Sequence, residues 1–124
     1  MALHLDHTIV PAHDKEESAR FIARIFGLES KGPWGHFAPL KIDDTLTLDF
    51  DNRTDVEFQH YAFLASDEEF DAILARVQEQ GVAYGSSPFS EDGNINHLHQ
   101  GRGFYFRDAN GHNWEIITHT YITD

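Results

Sequence analysis

The stretch Gly103-Phe-Tyr-Phe-Arg-Asp-Ala-Asn-Gly-His-Asn-Trp-Glu-Ile-Ile-Thr-His119 decides the fold. Two strand-like segments flank residues 108–111, and Asn followed by Gly between β-prone segments predicts a hairpin because both residues tolerate positive φ. On the second strand, Glu115 stands between Trp114 and Ile116. A carboxylate in an apolar strand is costly unless it is wetted or partnered. Glu115 therefore indicates a polar face that holds a partner for the acid.

Length and composition limit the class of protein. The chain has 124 residues, enough for one domain with its own core, and 40% hydrophobic residues predict a folded globule. The formal net charge of -12 repels nucleic acid and anionic membranes, and no apolar run is long enough to span a bilayer. The partner is then a small molecule or a protein. Without cysteines or a signal-like N-terminus, we expect a cytoplasmic location.

The first half of the chain begins with a strand and a helix. Residues 3–10 alternate and predict a strand that carries His7 and ends at Pro11. Asp14 and Glu17 have the spacing of a capping box, and Gly27 is a natural helix stop. Short β-prone pieces follow over residues 28–50, the last of which alternates cleanly.

The same order restarts at Phe58, with a strand that contains His60 and a helix cap at Asp67. The strand histidines are 53 positions apart (60 − 7 = 53), and so are the two predicted helix caps (67 − 14 = 53). A fixed offset of this kind indicates an internal repeat. We therefore predict an α+β fold in one domain of two βαβββ modules, about residues 1–54 and 55–124. They would pair into one curved mixed sheet with the helices outside.

Three residues on the predicted strands are candidate metal ligands: His7, His60 and Glu115. Two imidazoles and one carboxylate leave open coordination positions on a divalent metal, which suits Lewis-acid or oxygen chemistry. Their convergence requires the sheet to curve. The alternative is that each is an ordinary hydrogen-bonded strand residue. Asp49 occupies a similar place in the first half, where it is either a fourth ligand or an exposed aspartate.

Other histidines lie outside this set. His97 and His99 fall in the long polar loop of residues 86–101, and loops of this length are either functional lids or flexible. Either histidine could act as a general base, since imidazole titrates near neutral pH. His112 follows Gly111 in the hairpin and is interpreted as a turn or packing residue.

Three segments carry a resemblance to a known family: Leu5-Asp-His-Thr-Ile-Val10, His60 at the start of the second half, and residues 103–116 of the hairpin. On these, the chain resembles the vicinal oxygen chelate superfamily of glyoxalases, bleomycin resistance proteins, fosfomycin resistance transferases and extradiol dioxygenases. The resemblance implies the glyoxalase/bleomycin resistance/dioxygenase-like fold and a homodimer. It also implies a divalent metal (Fe, Mn, Ni, Zn or Co) held by His7, His60 and Glu115, which chelates vicinal substrate oxygens.

The resemblance leaves the reaction open. Fosfomycin-type members need several cations near the metal, and this acidic chain offers four candidates: Lys41, Arg53, Arg102 and Arg107. Extradiol dioxygenases use histidine and tyrosine acid/base helpers, and the candidates for that role are His97, His99, Tyr61 and Tyr105. We therefore predict a metal-dependent enzyme of the dioxygenase or lyase/isomerase type. The alternative is a metal-free dimeric protein of the bleomycin-resistance type that sequesters a small molecule.

Overall fold

A computed structural model describes residues 3–121 of the chain. Two compact units are present, and the boundary between them falls between Glu57 and Phe58. The α+β class is confirmed. The first unit contains β1 (His7–Ala12), α1 (Lys15–Phe26), β2 (Ala38–Lys41) and β3 (Thr47–Asn52); the second contains β4 (His60–Leu64), α2 (Asp67–Glu79), β5 (Tyr84–Gly85), a short turn (Leu98–Gln100), β6 (Gly103–Arg107) and β7 (Asn113–Ile117). Within residues 3–121, no helix is long and apolar enough to cross a membrane.

The first unit forms a three-stranded sheet in the order β1-β3-β2, in which β1 runs parallel and β2 antiparallel to β3. Four strands were predicted here, and one continuous sheet over both halves; the described strands instead form two sheets, of three and four strands. The segment before β2 contributes a single bridge between Trp34 and Phe37. Gly32 and Gly35 lie on either side of its start with φ of 88° and 61°, a conformation incompatible with a strand.

Strand β1 begins later than predicted and includes Pro11, which pairs with Asp51 of β3. Among the described strands β1 lies at the edge of its sheet, and proline is tolerated at a sheet edge, where its missing N–H need not break a ladder. Val10 and Ala12 are buried, while His7 and Ile9 on the opposite face are exposed. The predicted alternation is therefore retained although the strand bounds are shifted.

Helix α1 has the predicted ends. The Asp14 side chain accepts a hydrogen bond from the Glu17 backbone N–H at 3.2 Å, and Gly27 ends the helix with φ of 71°. Its apolar face lies against all three strands of the first unit. The buried side chains of this core include Ile22 and Ile25 from the helix and Leu40, Leu48 and Phe50 from the sheet.

The second unit has the predicted βαβββ order, and its sheet has the order β4-β7-β6-β5 with β4 parallel to β7. The predicted cap at Asp67 was wrong, because Ser66 caps α2 and its hydroxyl accepts from the Glu69 N–H at 3.1 Å. Asp67 is instead the first helical residue, where a negative charge is favoured by the helix dipole. Consequently the strand histidines keep the offset of the repeat, whereas the helix caps do not.

The β6–β7 hairpin exists, but its turn is longer than an Asn-Gly pair. Asp108 N–H donates to the His112 carbonyl at 3.3 Å, and Gly111 alone in this turn has positive φ. The carboxylate of Asp108 accepts from the backbone of Asn110 and His112 and from Trp114 Nε1 at 2.9–3.1 Å. A buried side chain, rather than two left-handed residues, therefore shapes this turn.

Candidate functional site

The candidate site lies on the face of the second sheet that carries Glu115. Side chains alternate along β7, so Trp114 and Ile116 are buried on one face while Glu115 projects from the other. In the strand register, Glu115 pairs with Ala62 of β4 and with Tyr105 of β6. His60 lies two residues before Ala62 and shares this face. Strand pairing therefore brings His60, Tyr105 and Glu115 together.

His60 and Glu115 form a direct pair. The distance between His60 Nε2 and Glu115 Oε1 is 2.9 Å, and the side chains are 46% and 14% exposed. The acid noted in the sequence thus has a partner, and the imidazole edge remains accessible. A carboxylate shielded to this degree is stabilised by such a contact.

Tyr105 completes this cluster. Its ring lies edge-on to the His60 ring, with 5.9 Å between centroids. Burial raises the pKa of Tyr105 to about 12, and a hydrogen bond to Glu115 together with the charge of that acid acts in the same direction. The Tyr105 hydroxyl is therefore protonated at neutral pH and serves as a donor rather than a base.

The separation of the pair fits a metal ion. Ligand nitrogen and oxygen atoms bind divalent metals at about 2.1 Å, so two ligands at a right angle lie about 3.0 Å apart. The observed distance of 2.9 Å is compatible with this value, and it is also that of an ordinary hydrogen bond, which a bound ion would replace. Among residues 3–121, no group of three or more His, Asp or Glu side chains is close enough to hold a metal. The structure thus brings together two of the three predicted ligands.

His7, the third predicted ligand, belongs to the first unit and is the first residue of β1. Its Nδ1 lies 2.8 Å from Asp6 Oδ2, and this hydrogen bond raises the pKa of His7. The charge of Asp49 contributes in the same direction. Asp49 on β3 pairs with Ile9 on β1, and Glu115 on β7 pairs with Ala62 on β4. Asp49 therefore occupies the register position in the first unit that Glu115 occupies in the second.

The two predicted catalytic histidines make no recorded contact with the cluster of His60, Tyr105 and Glu115 within the described residues. His97 and His99 are exposed in the 86–101 loop, and the His99 ring is 5.6 Å from that of Tyr121. Within the described residues, neither hydrogen-bonds to His60, Tyr105 or Glu115. His99 and Gln100 have φ of 59° and 62°, which is strained for residues with a Cβ.

The base of this loop is fixed. Asn96 forms a bridge with Gly103, and its amide donates to the Ser86 carbonyl at 3.0 Å. A Cβ on Gly103 would lie 3.0 Å from Asn96 Oδ1, so a larger residue would strain this contact. Ser86 also donates through its hydroxyl to Asp92 at 2.8 Å. Strain is thus confined to the exposed end that carries His99.

The structure adds two observations about residues beside His60, one on Tyr61 and one on Asn113. Tyr61 was a candidate helper, but it lies on the opposite sheet face and packs on Trp114 with 4.8 Å between ring centroids. Strand alternation places Tyr61 opposite its neighbour His60, and this signal was present in the sequence. Asn113 was overlooked; it is 5% exposed, pairs with His60, and its buried Oδ1 has no hydrogen-bond partner in the described structure.

The four cationic candidates are all engaged within their own units. Arg102 contacts Asp67 and Asp71 at 2.9 and 2.7 Å, and its guanidinium lies 4.4 Å from the Phe70 ring. The others contact a carboxylate or a carbonyl: Lys41 with Asp44, Arg53 with Asp51, and Arg107 with the Pro88 carbonyl. The carboxylate contacts of Lys41, Arg53 and Arg102 partly offset the positive charge that a phosphonate would require, whereas the carbonyl contact of Arg107 does not.

No protein-family profile matches the chain. A solved structure named oxidase ChaP-H2 is 48% identical, covering 98% of this chain and 97% of that one with a TM-score of 0.88. Glutathione transferase FosA of Serratia marcescens is 27% identical over 94% of this chain and 81% of that protein. A glyoxalase/bleomycin resistance protein from Catenulispora acidiphila DSM 44928 is 18% identical over 94% and 97%, with a TM-score of 0.69, and shares the fold.

These likenesses span nearly the whole chain and agree with the motifs at both ends of the sequence. One of these proteins is named as an oxidase and another as a transferase. Their shared feature is therefore the scaffold rather than one reaction. The chain therefore belongs to the vicinal oxygen chelate superfamily.

Proposed function

We propose that this protein is a small metal-dependent enzyme of the oxidase or dioxygenase type. The second reaction type that we propose is a lyase or isomerase reaction of a substrate chelated at the same metal. The substrate is a small molecule with adjacent oxygen atoms. The pairing of His60 with Glu115 on one sheet face carries the proposal, because it places an imidazole and a carboxylate close enough to bind one ion. The 48% identity to a protein named as an oxidase supports the oxidative form.

The proposed ligand set is His7, His60 and Glu115. His60 and Glu115 are supported by their contact, and His7 is included on the sequence repeat and the family resemblance. When bound, the divalent ion supplies Lewis-acid polarisation of substrate oxygens and, if redox-active, electron transfer. Iron, manganese, nickel, zinc and cobalt all accept this donor set. Asp49 is proposed as a cavity residue rather than a ligand, since aspartate is one methylene shorter than glutamate.

The remaining roles belong to side chains near the pair. Tyr105, with a pKa of about 12, holds its proton and orients the Glu115 carboxylate. His97 and His99 are proposed to move a proton to or from the substrate, and residues 86–101 to act as a lid. The ion pairs of Lys41, Arg53 and Arg102 disfavour a phosphonate substrate. We also propose a homodimer located in the cytoplasm, and a single domain made of both units.

Metal binding tests the proposal. Untagged protein, stripped with a chelator, is titrated calorimetrically with Mn(II), Co(II) and Ni(II), and its metal content after purification is measured by elemental analysis. We expect one ion per chain, and a loss of affinity of at least about 100-fold in Glu115→Ala. Glu79→Ala is the matched control, because Glu79 is an exposed glutamate at the end of α2.

Two outcomes would contradict this assignment. If the protein binds none of the metals, the metal-free sequestration protein becomes the better description. If Glu115→Ala binds as tightly as the wild type, the ligand set is wrong. Light scattering at micromolar concentration tests the homodimer, and a monomeric mass would count against it.

A further inference from the structure

His112 is a buried imidazole that the proposed chemistry does not use. It lies at the end of the β6–β7 turn with 0% exposure. Its Nδ1 accepts a hydrogen bond from the backbone N–H of Gln59 at 3.0 Å. A backbone N–H can only donate, so Nδ1 carries no proton and His112 is the neutral Nε2–H tautomer.

Gln59 directly precedes His60, the first residue of β4. The Gln59 carbonyl accepts from the Asn113 N–H at 2.9 Å. Both backbone polar groups of Gln59 are therefore hydrogen-bonded at the start of β7. The N–H donates to the His112 side chain, and the carbonyl accepts from the Asn113 backbone. These two bonds begin the register that pairs His60 with Asn113 and Ala62 with Glu115.

His112 is itself held in place by a hydrogen bond to Asp108 in the β6–β7 turn. Its backbone N–H donates to Asp108 Oδ1 at 3.0 Å, and the same carboxylate accepts from Trp114 Nε1 at 3.1 Å. Trp114 is completely buried in the core of the second unit. A continuous set of hydrogen bonds therefore connects the core, the turn, His112 and the residue before His60.

We propose that His112 is a positioning residue for the metal-ligand pair, acting through the Gln59 backbone; this inference rests on the proposed function. His60 begins its strand and its side chain is 46% exposed, so packing around the ring does not by itself set its position. A strand end without the Gln59–His112 bond would fray, since terminal residues have few cooperative contacts. Residues that orient a metal ligand typically change affinity by about 10- to 100-fold.

The test compares two substitutions of the same residue. In His112→Asn the side-chain oxygen takes nearly the place of Nδ1 and keeps the acceptor, whereas His112→Phe keeps a ring and leaves the Gln59 N–H without one. We expect Co(II) affinity close to wild type in the first and about 10- to 100-fold weaker in the second. The visible absorption bands of bound Co(II), which report ligand geometry, should shift in the second only.

A stability-matched control separates positioning from general destabilisation. Phe104→Leu removes buried volume from the face that packs on Phe70, on the opposite side of the sheet from His60. It should lower the melting temperature while leaving Co(II) affinity near the wild-type value. Equal affinity loss in Phe104→Leu and His112→Phe would overturn the positioning role, as would equal loss in His112→Asn and His112→Phe.

A metal-free readout keeps the two proposals distinguishable. Nuclear Overhauser contacts between the His60 ring and the Glu115 side chain are measured in stripped protein, together with hydrogen exchange of the Gln59 amide. We expect both the contact and the protection to be retained in His112→Asn and lost in His112→Phe. Retention of the contact in His112→Phe overturns the positioning role. A wild-type protein that binds no metal, with the contact still lost in His112→Phe, overturns the proposed function and leaves His112 as the residue that positions His60 against Glu115.

Discussion

His7 and His60 occupy the same place in the two units and have different surroundings. Each is the first residue of the first strand of its unit, and that strand runs parallel to the last one. The equivalent acids, Asp49 and Glu115, lie on those last strands. Yet His60 contacts Glu115 across the sheet at 2.9 Å, while His7 contacts Asp6, its neighbour in sequence, at 2.8 Å.

The difference shows that a repeated backbone register does not repeat the chemistry. Asp49 acts on His7 through its charge alone, whereas the longer Glu115 reaches the imidazole. The second unit also has a fourth strand and a tyrosine beside its pair. The backbone thus sets equivalent positions in both units, and the acids at these positions differ in length by one methylene group.

The largest effect is expected from replacing the two histidines in turn. If His7 and His60 are both ligands, His7→Ala and His60→Ala will each weaken Co(II) binding by at least about 100-fold. His4→Ala is the control, because His4 is an exposed histidine near His7. Calorimetric titration measures the effect, and normal affinity in His7→Ala would restrict the ligand set to the second unit.

The turns before the last strand of each unit should differ in their contribution to stability. Asp108 is 9% exposed and accepts from four donor groups, so Asp108→Ala should lower the free energy of unfolding by about 3 kcal/mol. Asp43 accepts from Thr45 and Leu46 in the same way but is exposed to solvent. Asp43→Ala should therefore cost much less by urea titration, and equal costs would show that burial of Asp108 is not the cause.

A smaller change should make the first unit resemble the second. In Asp49→Glu the added methylene lets the carboxylate approach His7, and a contact between the lengthened side chain and His7 should replace the Asp6–His7 contact. Nuclear Overhauser contacts between the His7 ring and the side chain at position 49 measure this, with Asp49→Asn as the control. Persistence of the Asp6 contact alone would mean that the sheet geometry, not side-chain length, separates the two units.

The smallest effect is a loss of stability at alkaline pH. Its tyrosine contribution should come from the second unit, because all four tyrosines follow residue 57. Burial raises the pKa of Tyr61 and of Tyr105 to about 12. Their unfolded-state pKa is about 10, so the folded state retains protons that the unfolded state loses. Stability is then fully present below about pH 10 and falls toward pH 12. Tyr61→Phe and Tyr105→Phe should each flatten this decline in thermal melts, and unchanged slopes would contradict the assignment.

Features with local causes could be predicted from the sequence. The Asp14 cap and Gly27 stop of α1 depend on residues within one turn, and both are confirmed. His112 is buried, as its interpretation as a packing residue required. The second cap was assigned to Asp67 because the repeat offset was extended to it, although Ser66 is an equally good capping residue one position earlier.

Features with distant causes could not be predicted in full. The bounds of β1 follow from its parallel pairing with β3, some forty residues later, which no local pattern encodes. Glu115 could be identified because a charge in an apolar strand is conspicuous, and its contact with His60 agrees with that prediction. The contact between Gln59 and His112 joins residues 53 positions apart and left no local signal.

The parallel pairing of β4 with β7 also determines when the candidate site forms during folding. The β6–β7 hairpin joins neighbouring segments, so it can close within microseconds, whereas β4 must close a loop of some fifty residues to reach β7. Loop-closure entropy should delay that step relative to closure of the hairpin. We therefore expect Glu115 and Tyr105 to be arranged early and His60 to dock last, so that the pair is completed only in a nearly native chain.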